Sequence, residues 1–151
     1  IEKRESKYST YVLYIPERYE YIKKELDKTT LNPIFIEGYD KDKLSKSIDK
    51  FQEELNWDSM WSVEDAVHRL ESGWDFVHLK NCDGWFWLDN NTKECKNLYV
   101  EKSERGCGYG IQMIWYICNI SKVKHDMIWS QVDEWNKVSQ RLFLRCGFLN
   151  E

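Results

Sequence analysis

A glycine-rich loop with one arginine is the segment of this sequence best suited to hold an anionic ligand. It reads Arg-Gly-Cys-Gly-Tyr-Gly over residues 105–110, between an apolar strand at residues 98–100 and an apolar-rich segment at residues 111–120. Gly108 and Gly110 let the backbone approach a pyrophosphate, and the first N–H groups of a helix lack intrahelical acceptors. The helix dipole and the arginine add positive charge. The loop is predicted to cradle phosphates, the alternative being a plain helix-capping turn.

The spacing of this loop resembles that of one enzyme superfamily. It departs from the dinucleotide pattern G-x-G-x-x-G and from the P-loop. Arg-x-x-Gly-x-Gly after a Leu-Tyr-Val strand resembles instead the acetyl-CoA loop of the GCN5-related N-acetyltransferase (GNAT) superfamily. Looser similarity begins at residue 34 and includes residues 62–73. A second block, at the spacing of the family's last helix, follows a strand predicted at residues 127–132 and comprises Asn136, Ser139, Phe143, Gly147 and Phe148.

The resemblance implies an α/β fold of the α+β kind, with a mixed sheet: the GNAT-like acyl-CoA N-acyltransferase fold. We expect one domain over residues 1–151, with an N-terminal extension at 1–32 and a family-like region at 34–148. The superfamily adds two strands after the position of Phe148, whereas three residues follow it here. The C-terminal strands are therefore expected to be short or missing, and the extension to add a strand and a helix.

The same resemblance implies the chemistry, which is direct attack of a primary amine on acetyl-CoA, used as a cosubstrate without a metal. A backbone N–H near Leu98 would stabilise the oxyanion, while Val100 and Asn136 would bind the pantetheine arm. The residues that the resemblance places around the cofactor are Leu98, Tyr99, Val100, Arg105, Gly106, Cys107, Gly108, Tyr109, Gly110, Asn136 and Phe143.

Proton transfer needs two further groups. An alkylamine with a pKa near 10.4 is neutral in only about one molecule in 2,500 at pH 7, which corresponds to roughly 4.6 kcal/mol. Glu94 stands where the histone-acetyltransferase branch carries its base, and the alternative is an exposed carboxylate at a strand end. The family's usual acid is a tyrosine in the final helix, and this chain has Phe143 there. A substitute phenol is expected from Tyr99, Tyr11 or Tyr14, or else catalysis is slow.

An aromatic loop is the candidate site for the acceptor. The family uses the connection between its first two helices as one wall of the substrate cleft, and here that connection contains Trp57, Asp58 and Trp61. Two indoles and a carboxylate suit a cationic amine, on a small molecule or a peptide, with cation–π contacts worth about 1 to 2 kcal/mol each. The alternative is that both tryptophans fill the core.

Periodicity places the remaining elements. Strands are predicted at residues 10–15, 34–38, 75–79, 84–88, 94–100 and 127–132, and helices at 17–28, 42–55 and 62–72. Ser62 is predicted to cap the third helix with Asp65 in a variant capping box. The strands from residue 75 to 100 form an antiparallel meander.

The N-terminal strand has two possible positions. Residues 8–15 alternate like a half-buried strand, which could cover the edge beside residues 127–132, from its own chain or from a partner in a homodimer. It could equally lie beside residues 34–38. The first arrangement would protect an apolar edge from aggregation.

Composition narrows the class of protein. The chain has 42% hydrophobic residues and 15% aromatics, as expected of a folded core. No apolar run reaches the about 20 residues of a membrane span, and no secretory signal is recognised, so we expect a cytoplasmic protein with no membrane partner. A net charge of −4 disfavours nucleic acid. Five cysteines without a C-x-x-C pair predict reduced thiols and no metal site.

Two function classes compete with the acetyltransferase interpretation. One is a non-catalytic acyl-CoA-binding or interaction module that keeps the fold, which Phe143 and the short C-terminus favour. The other is a partner-binding α/β domain without a CoA site. The loop at residues 105–110 and Glu94 favour the enzyme. Neither the acceptor amine nor the length of the acyl chain follows from the sequence.

Overall fold

A computed structural model describes residues 7–55, 62–119 and 126–151, which form seven strands and five helices. The strands are β1 (Tyr8–Tyr14), β2 (Phe35–Glu37), β3 (Trp74–Leu79), β4 (Gly84–Asp89), β5 (Cys95–Val100), β6 (Met127–Asp133) and β7 (Leu149–Asn150). The helices are α1 (Ile15–Leu26), α2 (Lys41–Leu55), α3 (Val63–Glu71), α4 (Tyr109–Asn119) and α5 (Lys137–Arg145).

The antiparallel meander predicted between residues 75 and 100 is confirmed as β3 to β5, and β2 adds a fourth strand to it. Strands β2, β3, β4 and β5 are neighbours in that order and all pair antiparallel. Every residue of β4 is buried, so both of its faces are covered. At its start, a Cβ on Gly84 would lie 2.5 Å from Leu79 Cδ1 and 2.9 Å from Met113 Cε. The missing side chain therefore lets α4 pack closely on the sheet.

The N-terminal strand completes the second sheet from within the same chain. Strand β1 pairs with β6 antiparallel over seven residue pairs, from Tyr8 opposite Asp133 to Tyr14 opposite Met127. Its other edge pairs with the short β7, giving the order β6-β1-β7. The prediction that this strand covers the edge of residues 127–132 is confirmed, and the alternative position beside β2 is wrong. The two-residue β7 agrees with the expected short C-terminal strand.

Helices lie on both faces of the sheets and define two cores. The larger core includes Leu13 of β1, Ile22 of α1 and Ile114 of α4, all nearly inaccessible to solvent. The smaller core joins Leu44 of α2 and Ala66 of α3 to the aromatic face of β3 and β4. This layering, with a parallel contact between β5 and β6, is the mixed α/β architecture that the sequence predicted.

Local signals explain where two helices begin. Helix α1 begins at Ile15, two residues before the predicted start, with Pro16 in its first turn, where proline costs no hydrogen bond. The predicted capping box of α3 is confirmed: Ser62 Oγ accepts from Asp65 N–H at 3.2 Å, and the Asp65 carboxylate accepts from Ser62 N–H at 2.8 Å.

Candidate functional site

Strands β5 and β6 meet at one point and then belong to separate sheets. The point is a parallel bridge between Glu94 and Trp129, where the Trp129 N–H donates to the Lys93 carbonyl at 3.2 Å. One residue further along, the Ser130 hydroxyl donates to the Cys95 carbonyl at 2.8 Å. Within the described ranges, no backbone pair joins the two strands beyond that residue. Among the described residues, β5 and β6 are therefore edge strands on the sides that part here, and such edges can hydrogen-bond the amide groups of a ligand.

A bulge interrupts β5 just after this junction. Tyr99 pairs with Trp85 and Lys96 pairs with Trp87, so Asn97 and Leu98 lie together opposite a single residue of β4. Asn97 has a φ of +58°, in the left-handed region that asparagine tolerates better than most residues. A bulge leaves one residue out of the hydrogen-bond ladder and turns its backbone groups elsewhere. The bulge thus includes Leu98, the predicted oxyanion donor.

The glycine loop has the backbone conformation that its composition suggested. A short 3-10 helix, Lys102–Glu104, leads into it, and α4 begins at Tyr109. Gly106 and Gly108 have φ values of +83° and +101°, which side chains rarely adopt. These two glycines permit the sharp turn that brings the N-terminus of α4 to the end of β5.

The missing side chains of this loop serve mainly to let protein pack. A Cβ on Gly108 would lie 2.7 Å from Thr29 Cγ2, and a Cβ on Gly110 would lie 2.8 Å from Leu142 Cδ2. Only a Cβ on Gly106 would meet nothing within 4 Å among the three glycines of the loop. The sequence predicts that Gly108 and Gly110 allow close approach of a ligand, whereas their Cβ positions face the turn after α1 and helix α5.

Contacts from the N-terminal extension to this loop were not foreseen. The Gln112 amide of α4 donates to Thr29 Oγ1 at 2.7 Å and to the Leu31 carbonyl at 3.3 Å. Thr29 in turn donates to the Leu26 carbonyl at 2.8 Å, which ends α1. These residues lie about 80 positions from the loop in sequence, so no local pattern signals the contact.

Arg105 is held against the end of β5. Its Nε donates to the Val100 carbonyl at 2.7 Å, and its guanidinium carbon lies 5.3 Å from the centre of the Tyr99 ring. The arginine therefore stays at the mouth of the opening between β5 and β6, where positive charge favours phosphate. It also occupies an acceptor of Val100, the residue predicted to pair with pantetheine.

Glu94 lies at the junction itself, half-buried at the point where β5 and β6 part. Arg69 of α3 lies within its electrostatic reach: burial lowers the pKa of Arg69, and the charge of Glu94 opposes that shift. Arg69 remains a cation, since an arginine's ordinary pKa lies far above neutrality. A carboxylate and a cation thus face the start of the opening.

The two predicted cofactor residues of α5 have structural partners. The Asn136 side chain caps the helix by accepting from the Ser139 N–H at 3.2 Å. Phe143 is only 4% exposed, and its ring packs against Tyr11 at 6.2 Å and against Phe148 at 4.8 Å. Both residues are on the helix that contacts the glycine loop through Leu142. Their roles toward a cofactor stay predictions.

Three tyrosines were candidates for the acid, and they lie in different places. Tyr99 stacks on Trp85 at 5.0 Å, on the face that α2 and α3 cover. Tyr14 donates to the Glu151 carboxylate at 2.9 Å, and this bond raises the pKa of Tyr14. Tyr11 alone of the three stacks on Phe143, with an angle of 22° between the ring planes.

The cysteines in the larger core are suited to packing rather than to nucleophilic chemistry. Burial raises the pKa of Cys95, and it raises the pKa of Cys118 and Cys146 to about 12. These thiols stay protonated at neutral pH, whereas a cysteine reacts as a nucleophile only in its thiolate form. All five cysteines are free. Cys107, on the glycine loop, is exposed.

Comparison with known families decides what this combination of elements is. A sequence model of the acetyltransferase (GNAT) family matches residues 48–148. The chain belongs to the GNAT family. The match spans the end of α2, then α3, β3 to β5, the glycine loop, α4, β6 and α5 of this GNAT domain, but leaves out β1, α1 and β2. Neither curated proteins nor solved structures gave a match.

The candidate acceptor residues of the predicted GNAT site, Trp57, Asp58 and Trp61, lie outside the described residues. In the described part of the chain, no group of three or more His, Cys, Asp or Glu could hold a metal ion. No helix there is long and apolar enough to cross a membrane.

Proposed function

We propose that this GNAT chain transfers an acetyl group from acetyl-CoA to a primary amine by direct attack. The observation that carries the proposal is the parting of β5 and β6 immediately beyond Glu94, with the glycine loop at the far end of β5. A ligand lying along β5 would have its amides beside open strand edges and its phosphates near Arg105 and the start of α4. Its acyl end would then lie toward Glu94.

Glu94 is proposed as the general base. Its carboxylate would take a proton from the ammonium form of the acceptor, directly or through a water, and leave a nitrogen lone pair to attack the acetyl carbon. Its position at the junction of the two strands puts it at the closed end of the opening. Such a base typically contributes a factor of about 10² to 10⁴ in rate.

Leu98 is proposed to supply the oxyanion donor through its backbone N–H. As nitrogen attacks, the carbonyl π electrons move to oxygen, and a donor fixed in advance stabilises that charge without reorganisation. The bulge at Asn97 and Leu98 supports this role, because it takes backbone groups out of the ladder with β4. The C–S bond then breaks, its electron pair leaves with sulfur, and the nitrogen loses its second proton to water as the amide forms.

Tyr11 is proposed to protonate the departing thiolate. Its ring stacks on Phe143, which stands where the family usually has its acidic tyrosine. Strand β1 of the N-terminal extension thus brings a phenol next to the position where the hydroxyl is missing. A thiol near pKa 8.5 is a tolerable leaving group even unassisted, so the gain is modest, on the order of a hundredfold.

A second candidate function is a non-catalytic acyl-CoA-binding module. It is favoured by the buried ring of Phe143, which carries no hydroxyl at the family's usual acid position. Such a module would bind the cofactor and turn over no amine.

The first experiment is a thermal shift of the purified chain with acetyl-CoA, CoA and ATP. A ligand at about 100 times its Kd adds about 2.7 kcal/mol, which raises Tm by about 5 to 11 °C for a chain of this size. We expect this shift with acetyl-CoA and with CoA, and little shift with ATP. No shift with any of the three, in folded protein, would reject both proposals.

Turnover then separates the enzyme from the binding module. Thiol release from acetyl-CoA is measured with mixtures of polyamines, amino acids and peptides. The enzyme is expected to release CoA faster with an amine than without one. Cofactor binding without amine-dependent release would support the module instead.

A further inference from the structure

One side chain from α3 reaches the bulge of β5. The Arg69 Nη1 donates to Asn97 Oδ1 at 3.0 Å, from 28 residues away in the sequence. Asn97 is the residue whose left-handed φ of +58° creates the two-against-one pairing in that strand. The bond therefore acts on the residue that defines the shape of the bulge, next to Leu98.

The arginine is itself fixed by aromatic packing. Its guanidinium carbon lies 4.9 Å from the centre of the Trp74 ring and 5.4 Å from that of Trp87. A planar guanidinium over indole faces keeps its orientation, unlike a flexible ammonium. The donor to Asn97 is thus held by β3 and β4 as well as by α3.

The bulge needs such support because β5 has an alternative conformation without it. If Asn97 were extended, β5 could pair with β4 in a regular ladder shifted by one residue. Such a shift turns each following side chain and backbone group to the opposite side of the strand. The amide oxygen of Asn97, bonded to a fixed cation, ties the residue in its left-handed state.

We propose that Arg69 is a positioning residue for the oxyanion donor: it holds Asn97 in its left-handed conformation and so aims the backbone N–H of Leu98. This inference rests on the proposed function, since it concerns the donor of that reaction.

The test is a double-mutant cycle between Arg69→Met and Asn97→Gly. Methionine keeps an apolar stem beside the tryptophans but cannot donate a hydrogen bond, and glycine adopts a positive φ without help. We expect Arg69→Met to lower kcat by about 10- to 100-fold, since a misplacement of about 1 Å can cost about 100-fold. KM for acetyl-CoA should change less than about twofold, because the glycine loop is untouched.

The second arm asks whether the effect passes through Asn97. In the Asn97→Gly background, adding Arg69→Met should lower kcat by no more than about twofold, because the bulge no longer depends on the bond. The control is Arg145→Met, which removes a surface arginine paired with Glu25 at 2.9 Å and should leave kcat unchanged. Equal effects of Arg69→Met in both backgrounds, or no effect in either, would overturn the inference.

A structural measurement keeps the inference separate from the activity. Amide resonances and hydrogen exchange of Asn97 and Leu98 are compared by NMR in the original chain, Arg69→Met and Arg145→Met. Changes confined to these two amides in Arg69→Met support the positioning role even if no amine is ever acetylated, in which case the proposed function alone fails. Unchanged resonances in a folded Arg69→Met variant would sink the inference whatever the turnover.

Discussion

Gly106 and Gly108 share a left-handed backbone but differ in their surroundings, which makes them a matched pair. Gly106→Ala adds only the strain of a positive φ, about 1 kcal/mol. Gly108→Ala adds the same strain and a Cβ 2.7 Å from Thr29, so we expect a loss of about 2 to 3 kcal/mol. Urea unfolding measures both. Equal losses would show that Thr29 moves away freely.

Glu94 can be tested by removing its charge with little change of shape. We expect Glu94→Gln to lower kcat about 100-fold, because an amide cannot take the amine's proton. Steady-state thiol release at saturating acetyl-CoA and amine gives kcat. The control, Glu53→Gln, alters an exposed carboxylate on α2 that is 3.7 Å from Lys50. If Glu94→Gln keeps the kcat of the original chain, Glu94 is not the base of the reaction.

The phenol on β1 makes a second comparison possible. Tyr11→Phe should lower kcat by about 10- to 100-fold with unchanged stability at neutral pH, since only a hydroxyl is removed from the ring that stacks on Phe143. Tyr14→Phe, on the same strand, should lose the bond to Glu151 but keep its kcat. If the two variants have the same kcat, Tyr11 does not protonate the leaving thiolate.

At the scale of elements, β1 is a central strand although it comes from the N-terminal extension. Its residue Val12 is opposite both Trp129 of β6 and Leu149 of β7, so a proline there removes a backbone donor from a strand paired on both edges. We expect Val12→Pro to aggregate or to lose more than about 3 kcal/mol of stability. Val12→Thr, which keeps the N–H and the branched shape, should lose far less.

Measurement of Tm and of light scattering on both variants checks this expectation. A soluble Val12→Pro protein with the Tm of Val12→Thr would mean that β6 is stable without its partner strand. That outcome would contradict the pairing between β1 and β6 as a requirement of the fold.

Elements with strong local signals were predictable from the sequence. The capping pair of Ser62 and Asp65 and the apolar runs of β3 and β4 define their own structure, because the information lies within a few residues. The position of β1 was not decided by such signals. Its alternation fits either free edge, and only the pairing with β6, far along the chain, selects one.

The candidate site divides in the same way. Its loop was found from Arg105 and three glycines, which report backbone shape directly. The bulge at Asn97 carries no sequence signal, because asparagine is common in ordinary turns. In the sequence, Arg69 is one of several charged residues on an amphipathic helix, and only the folded structure shows its contact with the bulge.

At the scale of the whole molecule, stability should depend on pH through one histidine. His78 is 2% exposed and stacks on Phe76 at 5.7 Å, and no hydrogen bond of good geometry reaches its ring nitrogens from the described residues. Burial lowers the pKa of His78. As the pH falls below about 6.5, the ordinary pKa of histidine, His78 gains a proton in the unfolded chain but not in the folded chain. The free energy of unfolding therefore falls by up to about 1.4 kcal/mol per pH unit.

Urea unfolding at pH 7.5 and at pH 5.5 measures this loss. His78→Phe should flatten the difference, because an uncharged ring replaces the group that titrates. His68→Gln, at an exposed position on α3, should keep it. If His78→Phe loses as much stability between the two pH values as the original chain, another group is responsible.

The place of β1 between β6 and β7 has a consequence for the order of events during synthesis. The strand leaves the ribosome before β6, which follows about 120 residues later, a delay of about 6 to 24 s at cellular elongation rates. The meander of β2 to β5 can pair as it emerges, since its strands are consecutive. An unpaired, apolar β1 must meanwhile wait on the nascent chain, where chaperones that bind exposed strands would meet it first.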